Sequence, residues 1–96
     1  MLFVITSLDK DGALPLRIAT RLAHFDYAQR SGAVRLGGPF LNDSGEMIGS
    51  MIVIEATDLA AAEEWQRNDP YMKAGLFARS ELRPWKPTFN NCRAEL

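Results

Sequence analysis

The hydrophobic pattern of this chain alternates between the period of a β-strand and the period of an α-helix. Residues 2–8 are apolar and rich in β-branched side chains, which predicts a strand. From about Ala13 to Ser31 the apolar residues instead recur every three or four positions, as in an amphipathic helix that turns one stripe towards a core. The stripe consists of Leu14, Ile18, Leu22 and Phe25. Gly32 follows it as a stop signal.

The rest of the chain continues the alternation. Asn42 to Gly45 is rich in turn-forming residues, so the strands on either side of it form a hairpin. Asp58 is a favourable N-cap for a second helix, and Asp69-Pro70 ends that helix because proline disfavours helical geometry in the residue before it. The predicted elements are strands at 33–40 and 48–56, a helix at 59–68 and a strand at 76–85.

The resulting order, βαββαβ, is that of the ferredoxin-like α+β fold, in which two helices cover one face of a four-stranded antiparallel sheet. The first strand is apolar on both faces, with Leu2 and Val4 on one side and Phe3 and Ile5 on the other. A sheet covered on one face alone alternates apolar with polar residues. We therefore expect a homodimer joined through the open sheet faces. Residues 1–88 are predicted to form a single domain and residues 89–96 a C-terminal tail.

Composition excludes several classes of function. Eleven basic and twelve acidic side chains give a net charge of −1, which predicts neither a nucleic-acid-binding surface nor attraction to an anionic membrane. No stretch approaches a membrane span, and the first residues lack the pattern of a signal peptide, so we expect a cytoplasmic protein. With one histidine and one cysteine, Cys92, an ordinary zinc site within the chain is not expected. No cofactor motif is present either.

His24, the only histidine, and Asp69 are the candidate catalytic residues. His24 lies about 120° round the first helix from Ile18, which predicts a partly covered position beside Arg17 and Arg21. A carboxylate that accepts an imidazole N–H fixes the tautomer and makes the other ring nitrogen a base. The alternatives are structural: His24 as a packed boundary residue, and Asp69 as the N-cap of a short turn with Pro70 in the first helical position.

Weaker candidates for substrate binding surround this pair. Gly38 and Pro39, after Gly37, allow a close backbone approach and could offer N–H groups to an anionic oxygen, or they could form a strand-end bend. Arg17 and Arg21 are expected on a solvated helix face, from which either could contact a carboxylate. Two further candidates are Ser50, for which the sequence offers no helper group, and Tyr71, an aromatic residue suited to packing or to shaping a pocket.

Taken in order, several segments resemble the YCII-related (YciI-like) family over about residues 1–88. They are the opening Met-Leu-Phe-Val-Ile, Arg-Leu-Ala-His24, Gly38-Pro39, Asn68-Asp69-Pro70-Tyr71, Ala74-Gly75-Leu76 and Arg83-Pro84-Trp85. The resemblance implies a dimeric ferredoxin-like α+β barrel similar in fold to muconolactone isomerases. It also implies an active site at His24 and Asp69.

Three hypotheses for function remain open. The first is a cofactor-independent isomerase or lyase in which His24 removes a proton from a small organic acid, lactone or halogenated ring. The second is a non-catalytic module that binds a small ligand in the same cleft. The third is a structural accessory subunit, in which the His24–Asp69 contact only holds two segments together.

Overall fold

The computed structural model describes all 96 residues and confirms the predicted order of elements. Each predicted element is present, with its ends displaced by no more than one residue, and a short helix is added. The elements are β1 (Leu2–Asp9), α1 (Leu14–Ser31), β2 (Val34–Leu41), β3 (Met47–Glu55), α2 (Leu59–Asn68), α3 (Pro70–Lys73) and β4 (Phe77–Pro84). Trp85 to Leu96 contain no helix or strand.

The four strands form one antiparallel sheet in the order β2-β3-β1-β4. In the central pair, Phe3 lies opposite Ile54 and Ile5 opposite Ile52. Because side chains alternate along a strand, these four residues share one face. They form the core together with Ala62 and Trp65 of α2.

The predicted apolar stripe of α1, in contrast, faces outward. Ile18 is 57% exposed, Leu22 81% and Phe25 49%. The side of α1 that packs on the protein instead carries Arg17, 2% exposed, and His24, 8% exposed. The expectation that the stripe faces the core is therefore wrong, because buried polar contacts fix the rotation of α1.

The second sheet face carries the alternate residues of β1 and β3, among them Val4 and Met51. Leu8 and Leu36, which lie on this face by register, are each more than a third exposed. The predicted apolar character is thus present only in part, because β4 contributes the charged residues Arg79, Glu81 and Arg83 to this face. Neither α1 nor the two shorter helices combine the length and the apolar character that a membrane-spanning helix needs.

A β-bulge interrupts the pairing of β2 with β3. Phe40 lies opposite Gly49, but the next residue, Leu41, lies opposite Met47, so Ile48 is an extra residue on β3. A bulge reverses the alternation beyond it and can redirect a side chain. Met47 consequently shares the helix-covered face with Ser50 instead of the open face with Met51.

Candidate active site

The turn between α2 and α3 positions Asp69. Its backbone is extended, Pro70 occupies the first turn of α3, and its Oδ1 accepts the Tyr71 N–H at 3.0 Å. The predicted N-cap is therefore present. The same Oδ1 lies 2.8 Å from His24 Nδ1, so Asp69 caps a helix and contacts the histidine at once.

His24 is held from two directions on the inner side of α1. A carboxylate only accepts hydrogen bonds, so the geometry assigns a proton on Nδ1 to the contact with Asp69, and in the neutral imidazole Nε2 is then the acceptor. The Tyr71 ring stacks on the imidazole, with 4.1 Å between the ring centroids and 15° between the planes. Both contacts come from one turn, from residues on either side of Pro70, and together they fix the orientation of the imidazole.

Arg17 is buried seven residues before His24, and its expected position on a solvated helix face is wrong. Its Nε and Nη2 donate to the two oxygens of Asp9 at 2.7 and 2.9 Å. Nη2 also donates to Ser50 Oγ at 2.8 Å, and the guanidinium lies 4.7 Å from the centroid of the Tyr71 ring. Such a fork of contacts is what allows a guanidinium to be buried.

Arg17 is thus a polar partner of Ser50 that the sequence did not reveal. The Ser50 Oγ accepts a hydrogen bond from Arg17, and the hydroxyl hydrogen remains free for another acceptor. Ser50 lines a cavity between α1 and the sheet that also exposes His24. The hydroxyl can thus donate into the cavity with a cation directly behind it.

The cavity has a volume of about 170 Å³. It is lined by Arg17, Arg21, His24, Phe25, Ala28, Val34, Gly37, Gly38, Pro39, Met47, Ser50, Ile52 and Tyr71. The lining includes two arginines and the histidine but no carboxylate, because Asp9 and Asp69 lie behind Arg17 and His24. Such a wall favours a small ligand with electron-rich oxygens.

The remaining predicted residues also line this cavity. Arg21 lies at its exposed rim, where the guanidinium is 5.1 Å from the Phe25 ring centroid. A Cβ on Gly38 would meet nothing within 4 Å, whereas one on Gly37 would lie 3.2 Å from the Met51 carbonyl oxygen. A side chain at Gly37 would therefore have to displace its neighbours slightly, whereas Gly38 leaves open space beside it.

Two groups in the site have shifted pKa values. Burial lowers the pKa of Arg17, but the hydrogen bonds and charge of Asp9 outweigh that effect and leave the pKa raised. Burial raises the pKa of Tyr71 above its ordinary value, against the opposing effect of Arg17 and Arg21. At neutral pH the cavity thus contains a permanent cation and a neutral phenol.

Sequence reasoning missed Asp9 as a part of the site and did not expect Arg17 to be buried. Arg17 and His24 are seven residues apart, almost two helical turns, so they share one side of α1. That spacing, with an aspartate at the end of the preceding strand, was the available signal. No group of three or more His, Cys, Asp or Glu side chains is arranged to hold a metal ion.

A model of the YCII-related domain matches residues 1–86. The chain belongs to the YCII-related family. Protein YciI of Escherichia coli O6:H1 is 34% identical over 98 residues, which cover 93% of this chain and 100% of that protein. The segments that resembled the family in the sequence therefore identified it correctly.

Solved structures of other proteins are also similar to this YCII-related chain. The 5-chloro-2-hydroxyhydroquinone dehydrochlorinase TftG from Burkholderia phenoliruptrix AC1100, in complex with 2,5-dihydroxybenzoquinone, matches with a TM-score of 0.81 and 36% identity. The match covers 90% of this chain and 94% of TftG. A NIPSNAP family protein from Agrobacterium tumefaciens matches over 96% of this chain and 97% of its own, with a TM-score of 0.56 and 17% identity. That second likeness concerns the fold alone.

Proposed function

We propose that this protein is a cofactor-independent lyase that eliminates hydrogen halide from a small hydroxylated ring, with His24 as the general base. The observation that carries the proposal is the His24–Asp69 pair, which leaves Nε2 as an acceptor in a small cavity with cationic walls. The 36% identity to a dehydrochlorinase solved with a dihydroxybenzoquinone supports this reaction class and this ligand class.

The step requires one base and no redox partner. In the keto tautomer of the substrate the carbon that bears the halogen is tetrahedral. His24 Nε2 accepts a proton from this tautomer, and the electron pair of the broken bond forms a new π bond to the halogen-bearing carbon. The carbon–halogen bond breaks, and its electron pair leaves with the halide ion. Asp69 stabilises the imidazolium that forms, because its carboxylate already accepts the Nδ1 hydrogen.

Arg17 and Ser50 complete the proposed mechanism at a substrate oxygen. Negative charge builds on that oxygen when the proton leaves, and the Ser50 hydroxyl donates to it while Arg17 polarises the hydroxyl. This role replaces the backbone at Gly38, which the sequence suggested for the same task. Asp9 holds Arg17 in place through both carboxylate oxygens.

The size of the cavity supports a substrate with one ring. A cavity of about 150 Å³ accommodates benzene in another protein, and this one has about 170 Å³. Arg21, at the rim, is placed to meet an anionic substituent on a small organic acid.

The decisive experiment measures chloride release from 5-chloro-2-hydroxyhydroquinone by the wild-type protein and by His24→Gln. A positioned general base contributes about 10²- to 10⁴-fold, so we expect kcat to fall by that factor. Leu22→Gln, an exposed change on the same helix, is the matched control and should retain full activity. Wild-type release no faster than in buffer, or an unaffected His24→Gln variant, would contradict the proposal.

We also propose that two copies associate through the open sheet face. The apolar residues there, including Leu8 and Leu36, support this, because large exposed apolar patches mark interfaces. Sedimentation velocity at micromolar concentration should give twice the chain mass of 10.7 kDa. A single species with the mass of one chain would exclude the dimer.

A further inference from the structure

A second and larger cavity, of about 450 Å³, lies at the end of the sheet beside the candidate active site. The connection between β1 and α1 and the hairpin turn between β2 and β3 form its walls, with Lys10, Asn42 and Glu46 among the polar residues. Its lining and that of the smaller cavity have one residue in common, Met47.

Met47 reaches this position because of the β-bulge at Ile48. Without the extra residue, Met47 would follow Gly49 onto the open face of the sheet. With it, Met47 lies on the helix-covered side, three residues along β3 from Ser50. The Asp9–Arg17 ion pair forms a second part of the partition, since Asp9 lines the larger cavity and Arg17 the smaller one.

We propose that Met47 determines substrate size in this site by closing the smaller cavity against the larger one. This inference rests on the proposed function. Ser50 and Met47 both line the smaller cavity, so a ring whose oxygen binds Ser50 occupies a space that Met47 borders. A substituent or fused ring that points towards this border therefore meets the methionine side chain, and a shorter side chain would let it extend into the larger cavity.

The test compares two ligands of the same chemistry and different size. Isothermal titration calorimetry measures the binding of 2,5-dihydroxybenzoquinone, with one ring, and of 2-hydroxy-1,4-naphthoquinone, with two. The proteins are the wild type, Met47→Ala and Met47→Leu, the last of which keeps nearly the full side-chain volume. Met51→Ala, on the open face of the same strand, is the positional control, and thermal unfolding checks that every variant is folded.

We expect the wild type to bind the one-ring ligand and to discriminate against the two-ring ligand. Met47→Ala should bind the two-ring ligand at least about tenfold tighter than the wild type does, since small differences in pocket size change affinity by that order. Met47→Leu and Met51→Ala should retain the wild-type preference.

Two results would overturn the inference, and they are distinguishable. In the first result the one-ring ligand binds, but Met47→Ala leaves the preference unchanged or the wild type binds both ligands equally. Met47 then does not limit substrate size, and the proposed function stands. If neither ligand binds to any variant, the proposed function fails and the inference fails with it.

Discussion

The two long helices pack on the same face of the sheet but bury opposite kinds of side chain. α2 turns Ala62 and Trp65 into the core and leaves its charged residues in water. α1 turns Arg17 and His24 inward and leaves Leu22 81% exposed. α2 thus follows the usual rule for an amphipathic helix, and α1 departs from it on the side where the candidate site lies.

The difference has a physical basis in what each helix meets. α2 faces apolar core residues, so burial of its apolar side removes hydrocarbon from water. The part of α1 around Arg17 and His24 faces a cavity and polar partners, where Asp9 pairs with Arg17 and Asp69 with His24. Tyr27 and Ala28, nearer the end of the helix, pack on the core. Local departures from hydrophobic patterning are expected at functional sites, where they are offset elsewhere in the structure.

The largest expected effects are a loss of stability from a substitution in α2 and a loss of activity from a substitution in α1. Trp65→Ala removes a core indole that also donates to Ser31 Oγ, and should cost about 3–5 kcal/mol of stability. His24→Gln keeps an N–H donor for Asp69 and should cost only about 1 kcal/mol. Thermal unfolding by circular dichroism measures both changes.

The activities of the two variants, measured as chloride release by the folded protein, are compared next. Well below its Tm, Trp65→Ala should retain the kcat of the wild type, whereas His24→Gln should lose activity with its fold intact. A His24→Gln variant that lost as much stability as Trp65→Ala would show that the inner side of α1 is a core surface like that of α2.

A second prediction tests whether polar contacts hold the inner side of α1. Arg17→Met leaves the Asp9 carboxylate buried without its partner, and loss of one member of a buried pair costs about 3–5 kcal/mol. The double variant Arg17→Met, Asp9→Asn removes that charge and should be more stable than Arg17→Met alone. Urea unfolding gives the free energies of this cycle.

Arg30→Met is the matched control on the same helix. Arg30 pairs with Asp26 at an exposed position, where ion pairs contribute little, so its loss should have a much smaller effect than Arg17→Met. Equal effects of Arg17→Met and Arg30→Met would mean that the buried ion pair does not fix the rotation of α1.

The sequence predicted the fold almost completely because strand and helix periods, turn residues and caps are local signals. Asp58 is one example: its side chain accepts from the Ala61 N–H, as an N-cap does. The His24–Asp69 contact was predicted as a pair, although the sequence suggested only partial burial of His24. The pairing depends on the capping geometry at Pro70, which is also a local signal.

Local signals predicted neither the rotation of α1 nor the hydrogen bond from Arg17 to Ser50. Hydrophobic periodicity assigns the inward side of a helix by counting apolar residues, and it cannot count a buried ion pair as favourable. Arg17 can contact Asp9 and Ser50 together because β1 and β3 lie side by side in the sheet. Contacts that depend on three separate elements leave no periodic signal in the chain.

The smallest expected effect comes from the outward stripe itself. Leu22→Ser replaces a side chain that is 81% exposed and should change the free energy of unfolding by no more than about 0.5 kcal/mol. The open sheet face, through which the dimer is proposed, is on the other side of the sheet from α1, so dimerisation should not increase the effect. A decrease in Tm that grew with protein concentration would show that a further subunit covers the stripe. In that case α1 would bury an apolar side as α2 does, but between molecules instead of within one.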